Sequence, residues 1–419
     1  MTASTFNLAK NIIGGGMLAL PAGMAAGRGT GYAPAFALMA ATCVLSAYTF
    51  VLVGKSVDAT GARSFKDLWA KTIGPKSAWA VDAAIFALCF GVCIMYGCFL
   101  GDLFSSLAGA VPAIPAALAS RTSAIVGITA VVLLPLCLLR DLSALRFSSM
   151  AGIGAVLYVT GFVAKRALDG TYRAGTGRLL RGLDTTLLPR QATGGLMAMG
   201  AGTFVLFNML STAFMAHPNA VKFYTELKEA TPRRFARVTY AAFALAALVY
   251  GTVMACGYAT FGQASSGLIL NNYHARDDIL AVLGRLGTGI SIIGSQPLLF
   301  AGLRESAFST FTTMGLIPKD VDSRPALWAG LSAALLAAAT AIAIVTPDVG
   351  VVVSLVGALL GAGMVYSLPS YLYMCVRRRR AGGGGGGAVL RMPALRLVFL
   401  FGIVMTLVGT GLTVLDMRK

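Results

Sequence analysis

Apolar residues run through this chain of 419 residues in blocks of about twenty, separated by short polar or basic stretches. The blocks fall at about 3–26, 32–55, 78–107, 122–139, 147–165, 196–217, 238–260, 279–303, 325–346, 349–375 and 397–415. Each is of a length suited to crossing a hydrocarbon layer of about 30 Å as a helix. None alternates apolar with polar residues as a barrel strand would. The pattern predicts an all-α integral membrane protein of eleven transmembrane helices, with no polar region left to fold as a separate soluble domain.

The first block carries an interruption. Asn11-Ile-Ile-Gly-Gly-Gly-Met-Leu-Ala-Leu-Pro21 sets three consecutive glycines at mid-membrane depth, each costing a helix about 1 kcal/mol relative to Ala. Pro21 withholds a further backbone donor. Peptide groups freed there must be satisfied by something other than lipid. The half-helix that begins after Gly16 points its positive end at the break, which suits a carboxylate. Carbonyls ending the preceding half-helix, with the Asn11 amide oxygen, suit a small cation. The competing reading is a close-packing surface, since small residues let helices approach. One glycine would favour that reading; three in a row favour the break. Asn7 and Asn11 stand four apart on one face, a spacing that also serves a helix–helix hydrogen bond.

The sixth block runs Gly202-Thr-Phe-Val-Leu-Phe-Asn-Met-Leu-Ser-Thr-Ala-Phe-Met-Ala-His-Pro-Asn219. Asn208, Ser211 and Thr212 lie at mid-span depth, followed by His217-Pro218. Helical hydroxyls often bond back to their own carbonyls, so a polar centre is not by itself a site. Position is the stronger argument. This block stands five after the interrupted one, and transporters built from two inverted five-helix repeats carry discontinuous helices at such corresponding positions. No repeat is detectable by residue identity. His217, one of two histidines, reads first as a hydrogen-bonded structural residue and second as a proton-relay candidate.

Charged residues make up only 12% of the chain, about half the share in soluble proteins. The net charge of +18 comes from 34 Lys and Arg against 16 Asp and Glu. Nearly all the cations sit on short loops between apolar blocks, where they set orientation and meet anionic lipid. No basic helix or aromatic-interleaved basic stretch is present, so nucleic acid is not an expected partner. Loops on the side of the N-terminus hold 21 of the 34. The expectation is a cytoplasmic N-terminus and a C-terminus on the opposite side, with the basic loop from Lys165 to Arg190 as a counter-signal. Arg377 to Arg380 read as a stop-transfer anchor and Gly382 to Gly387 as a flexible linker. All seven cysteines lie inside apolar blocks without CxxC spacing and read as packing residues. Asn7, Lys10 and Asn11 inside the first block argue against a cleavable signal peptide.

Seven motifs occur in an order that resembles the amino acid/auxin permease family, within the amino acid–polyamine–organocation superfamily. They are Phe6 through Pro21; Phe90-Gly-Val-Cys-Ile-Met-Tyr96 with Gly101-Asp102-Leu103; Leu134 through Arg146; Ala216-His-Pro-Asn219 with Tyr224-Thr-Glu-Leu-Lys228; Gly257-Tyr-Ala-Thr-Phe-Gly262; Ile269-Leu-Asn-Asn272; and Gln296-Pro-Leu-Leu-Phe300 with Leu303-Arg-Glu-Ser306. Together they cover about residues 3 to 380. The resemblance implies a LeuT-like 5+5 inverted repeat plus one extra helix. Its core would be 1–376, with repeats at about 3–165 and 196–376, a basic and Gly-rich cytoplasmic linker at 377–396, and an eleventh helix with a short C-terminus at 397–419. It implies that the backbone at Gly14, Gly15 and Gly16 holds a substrate carboxylate. Groups near Ser211 and Thr212 would face the amino group, with Asn208 and Tyr96 completing the substrate set. Asn11 and Ser295 match positions that help form a sodium site in sodium-coupled members. Gln296 departs from the family, standing where an apolar or aromatic residue is expected.

Secondary active transport of a small neutral amino acid in symport with a cation is the expected function. All acidic residues lie in loops or near block ends, with Asp82 and Asp102 closest to a span. Without a central carboxylate to titrate, sodium is favoured over protons, which stay open through His217. The alternative is a permease-like receptor that senses amino acids with little flux, disfavoured by the short tails. Two histidines, no HExxH, no carboxylate pair in a span and no Walker A sequence disfavour an enzyme or an ATP-driven pump. Apart from the coupling ion, no cofactor is expected.

Overall fold

A computed structural model describes residues 2–140, 148–380 and 392–416. Every regular element among them is helical. The first block becomes α1 (Thr2–Ile12), a 3-10 turn (Gly15–Ala19) and α2 (Leu20–Ala25). Then follow α3 (Tyr32–Thr60), the short α4 (Phe65–Thr72), α5 (Trp79–Gly109), α6 (Arg121–Ile128) running through a π turn into α7 (Leu134–Cys137), and α8 (Ser148–Leu168). The sixth block becomes α9 (Gly202–Ala213) and α10 (Ala220–Thr225). Next are α11 (Pro232–Phe261), α12 (Ile279–Thr313), α13 (Pro325–Val345), α14 (Val349–Val356) running through π turns into α15 (Leu368–Arg380), and α16 (Pro393–Asp416).

Among the described residues, seven helical stretches are long and apolar enough to cross a membrane: Tyr32–Thr60, Pro75–Gly109, Pro232–Ala264, Ile279–Thr313, Pro325–Val345, Val349–Arg380 and Pro393–Leu415. The other four predicted spans coincide with the interrupted α1–α2, with α6–α7, with α8 and with the interrupted α9–α10. Helix α15 continues through the tetra-arginine run to Arg380. The Gly382–Gly387 linker, and the part of the fourth-helix motif after Arg140, lie outside the described residues.

Capping residues explain several starts. Thr231 accepts the Arg234 amide with Pro232 in the first turn of α11. Asp278 accepts the Leu280 and Ala281 amides at the head of α12, and Asp348 accepts the Gly350 amide at the head of α14. Arg166 reaches both oxygens of buried Asp278 at 2.9 and 2.6 Å, and the Tyr172 hydroxyl donates to the same carboxylate at 2.9 Å. This buried, fully bonded charge fastens the end of α8 to the start of α12.

Long helices enclose the broken ones. Helix α12 lies along α5 and α8, and α11 lies along α3 and α1. Between them α2 packs on α9 and α11, while α9 also meets α14 and α3. Of the long apolar helices, α13 and α16 are the least buried, turning Val345, Leu397, Leu400 and Leu407 outward, as a lipid-facing surface would.

Candidate substrate and ion site

Helix α1 ends where its sequence says it should. The Ile13 amide donates to Ala9 at 2.8 Å, Gly14 is extended (φ −133°, ψ −170°), and the next turn opens with the Met17 amide on the Gly14 carbonyl at 3.4 Å. Among the described residues the Gly15 and Gly16 amides have no backbone acceptor, and the carbonyls of Lys10, Asn11 and Ile13 have no donor. These are the orphan groups that any helix end leaves. Here two helix ends face each other in the middle of one apolar block. Pro21 does not make the break. It sits in the first turn of α2, where its missing donor costs nothing.

Two side walls frame the gap. A Cβ on Gly15 would lie 3.1 Å from the Phe99 ring of α5, and one on Gly16 would lie 3.5 Å from Ala213, the last residue of α9. A Cβ on Gly14 would meet nothing within 4 Å. The second break therefore lies against the first. After Ala213 the chain leaves the helix, turns through His217–Asn219 and resumes as α10. Tyr250, from the middle of α11, joins the two breaks. Its hydroxyl is 2.8 Å from the Ile12 carbonyl and 2.8 Å from the Ala213 carbonyl, so one proton is shared between the ends of two half-helices. Its ring packs on Phe214 with centroids 5.0 Å apart.

The expected site residues divide. Gly14, Gly15 and Gly16 are together at the gap, and half-buried Tyr96 stands one turn before Phe99 on the same face of α5. Asn208, Ser211 and Thr212 instead take partners on neighbouring helices. The Asn208 amide donates to the Gly409 carbonyl and the Thr413 hydroxyl of α16, both at 3.2 Å. The Thr212 hydroxyl donates to Val353 of α14 at 2.7 Å, and Ser211 pairs with Tyr366 at 3.4 Å. A Cβ at Gly357 would run into the Asn208 carbonyl, so α9 and the chain after α14 approach closely at this point.

Asn11 and Ser295 bond to different neighbours. The Asn219 amide donates to Asn11 Oδ1 at 3.3 Å, while the Ser295 hydroxyl donates to Ser291 in its own helix at 2.8 Å. Buried His217 places Nε2 3.0 Å from the Thr49 hydroxyl, edge-on to Phe50. It anchors the start of α10 to α3, with no carboxylate partner among the described residues. Gln296 is buried with Oε1 unpartnered among the described residues.

Sequence reasoning missed Tyr250 and Phe99. A lone tyrosine in the Ala- and Val-rich middle of the seventh block was the one available signal, because a phenol there needs an acceptor.

Beyond α2 and α9 lies a cavity of about 470 Å³, walled by Ala22, Ala26, Val205, Met209, Asp102 and Asp348. Its charges are tied down. Arg121 holds Asp102 at 2.5 Å and donates to the Ala343 carbonyl at 3.1 Å, and Asp348 caps α14.

The chain is similar to known transporters. A family profile described as "Transmembrane amino acid transporter protein" matches residues 1–414. Vacuolar amino acid transporter 7 of Saccharomyces cerevisiae is 29% identical over 303 residues, 72% of this chain and 58% of that protein. The chain thus spans less than two thirds of that relative's length. A Mus musculus protein provisionally named sodium-coupled neutral amino acid transporter 11 is 25% identical over 387 residues, 89% of this chain and 77% of the other. Mhp1 in an inward-facing conformation superposes with a TM-score of 0.57 at 14% identity, covering 99% of this chain and 90% of that one. That likeness carries the fold alone, which is LeuT-like.

Proposed function

This chain belongs to the transmembrane amino acid transporter family, the amino acid/auxin permeases, and from that premise we propose that it carries a small neutral amino acid across a bilayer in symport with sodium. The observation that carries this reading is the pair of unpartnered amides at Gly15 and Gly16, opposite the end of α9. Two converging N–H groups at a helix start are a carboxylate receptor. The orphan carbonyls of Lys10, Asn11 and Ile13 on the other half-helix supply oxygens for a small cation. The wall side chains near the gap, Tyr96, Phe99, Phe214 and Tyr250, are uncharged, which suits a neutral solute.

In this reading all eleven blocks cross the membrane, with 3–165 and 196–376 as inverted repeats and 397–415 outside them. The N-terminus is cytoplasmic, as the basic loops favour. Alternating access comes from the two halves rocking about the breaks, with the cavity beyond α2 and α9 as the vestibule on the far side. The name of the mouse relative supports sodium over protons.

Uptake into proteoliposomes, screened across amino acids with and without sodium, tests the proposal. Saturable sodium-dependent uptake of small neutral amino acids is expected. Uptake indifferent to sodium but abolished by a protonophore defeats the sodium assignment, and binding without uptake turns the protein into a receptor.

A further inference from the structure

A second cavity, of about 550 Å³, opens where α3 and α15 end and α11 begins. Its walls include Lys55 and Asp58 from α3, Pro232 from the first turn of α11, and Tyr373, Arg377 and Arg380 from α15. Three cations thus converge on one space against a single carboxylate. Among the described residues, none of Lys55, Arg377 and Arg380 takes part in an ion pair. Asp58 already has a partner, since the Tyr224 hydroxyl donates to it at 2.6 Å. Lys55 is half-buried rather than free in solvent.

A cation in the last turn of a helix is ordinarily accounted for by the helix dipole. That explanation covers each residue singly. It does not account for cations from two helices facing one cavity, with the amino end of a third, 30 residues long, adding positive potential to the same space. Cavities that hold small ligands span about 300 to 1,000 Å³, so the space is of ligand size. Two guanidinium forks and an ammonium match the several oxygens of a phosphate better than the two of a carboxylate.

The geometry points to a binding site for a phosphate-bearing anion, with Lys55, Arg377 and Arg380 as its ligands. The phosphate belongs either to a lipid headgroup or to a free phosphate compound. An occupant would bridge α3, α11 and α15 and, through Asp58 and Tyr224, sit beside α10, the second half of the broken sixth segment.

The test uses the full chain and needs no transport readout. The thermal midpoint is measured in phosphatidylcholine vesicles with and without a phosphoinositide, and separately in detergent with rising inorganic phosphate. A saturable upward shift is expected from at least one probe. In Lys55→Gln/Arg377→Gln the half-saturating concentration should rise about thirtyfold, taking about one surface cation's worth of attraction per residue. Arg378→Gln, one residue away and outside the cavity, should leave it unchanged. A shift with inorganic phosphate identifies a free phosphate compound; a shift with the vesicles alone identifies the headgroup. Equal weakening by Arg378→Gln, or no saturable shift with either probe, overturns the site. Arg380→Gln, at an exposed helix end, repeats the measurement should the double variant fail to fold.

Discussion

Replacing Tyr250 with Phe removes one oxygen from the junction of the two broken helices and keeps the ring packed at a tilt against Phe214. The size of the effect follows from what the oxygen touches. Hydrogen bonds between helices in a membrane are worth about 0.6 kcal/mol on average, because most groups find other partners when one is lost. The Ile12 and Ala213 carbonyls, each 2.8 Å from the hydroxyl, stand at the frayed ends of half-helices. They have no amide of their own turn to fall back on. The cost should therefore approach the upper value measured for such bonds, about 1.7 kcal/mol, which is close to a twentyfold change in an equilibrium. Two assays separate where that energy appears. A lowered thermal midpoint with unchanged uptake would mean that the bond serves stability alone. A lowered kcat/KM for uptake, approaching twentyfold at near-constant expression, is the expected outcome, since on the proposed reading the hydroxyl holds the two surfaces that frame the solute. Wild-type stability together with wild-type uptake in Tyr250→Phe would show that the hydroxyl holds neither break, and the site would have to be sought elsewhere.

Gly14→Ala and Gly15→Val test the gap itself. The Gly14 Cβ points into open space, so Gly14→Ala should keep the thermal midpoint while uptake falls at least tenfold; unchanged uptake would mean the space is not the solute's. Gly15→Val pushes its branches into Phe99 and should abolish uptake with membrane insertion intact. Asn208→Ala should loosen α16, lowering the midpoint by a few degrees, with KM unchanged; a raised KM would return Asn208 to the substrate site. Asn11→Ala should raise the sodium concentration for half-maximal uptake several-fold before it changes substrate affinity, as flux measured against sodium would show.

The interruption of the first segment was legible because three glycines and a mid-membrane depth are local facts. Its consequence, free amides facing free carbonyls, follows from helix chemistry alone. The sixth segment was legible as a position, but the partners of its polar residues were not. Asn208, Ser211 and Thr212 have the composition of a binding face, but side-chain direction depends on which neighbours a helix meets, and α14 and α16 are contributed by residues 349–416. Nothing in the block itself says that Gly357 lets α14 come close enough to claim Thr212. Tyr250 was hidden for the same reason. A single hydroxyl acquires its meaning only when Ile12 and Ala213, 201 residues apart in the numbering, are known to end beside it.

The halves of the sixth segment are held by different partners, and this sets where it bends. Helix α9 is bound to α14 and α16 through Thr212 and Asn208. Helix α10 and its leading turn are bound instead to α3 and α1, by His217 to Thr49 at 3.0 Å, Tyr224 to Asp58 at 2.6 Å and Asn219 to Asn11 at 3.3 Å. Residues 214–216 lie between the two sets, where the proposed transport cycle would place a hinge. Opening on the α10 side must break three bonds worth together about 2 kcal/mol at the average membrane value. Driving a two-state change from one extreme to the other takes about 5.5 kcal/mol of differential binding, so a ligand can supply what these bonds oppose. Tyr224→Phe combined with Asn219→Ala leaves one of the three in place and should raise hydrogen exchange at amides 220–225 about tenfold relative to those of α9. Exchange that stays level in α10, or rises equally in α9, would show that the segment moves as one body and that the hinge is wrongly placed.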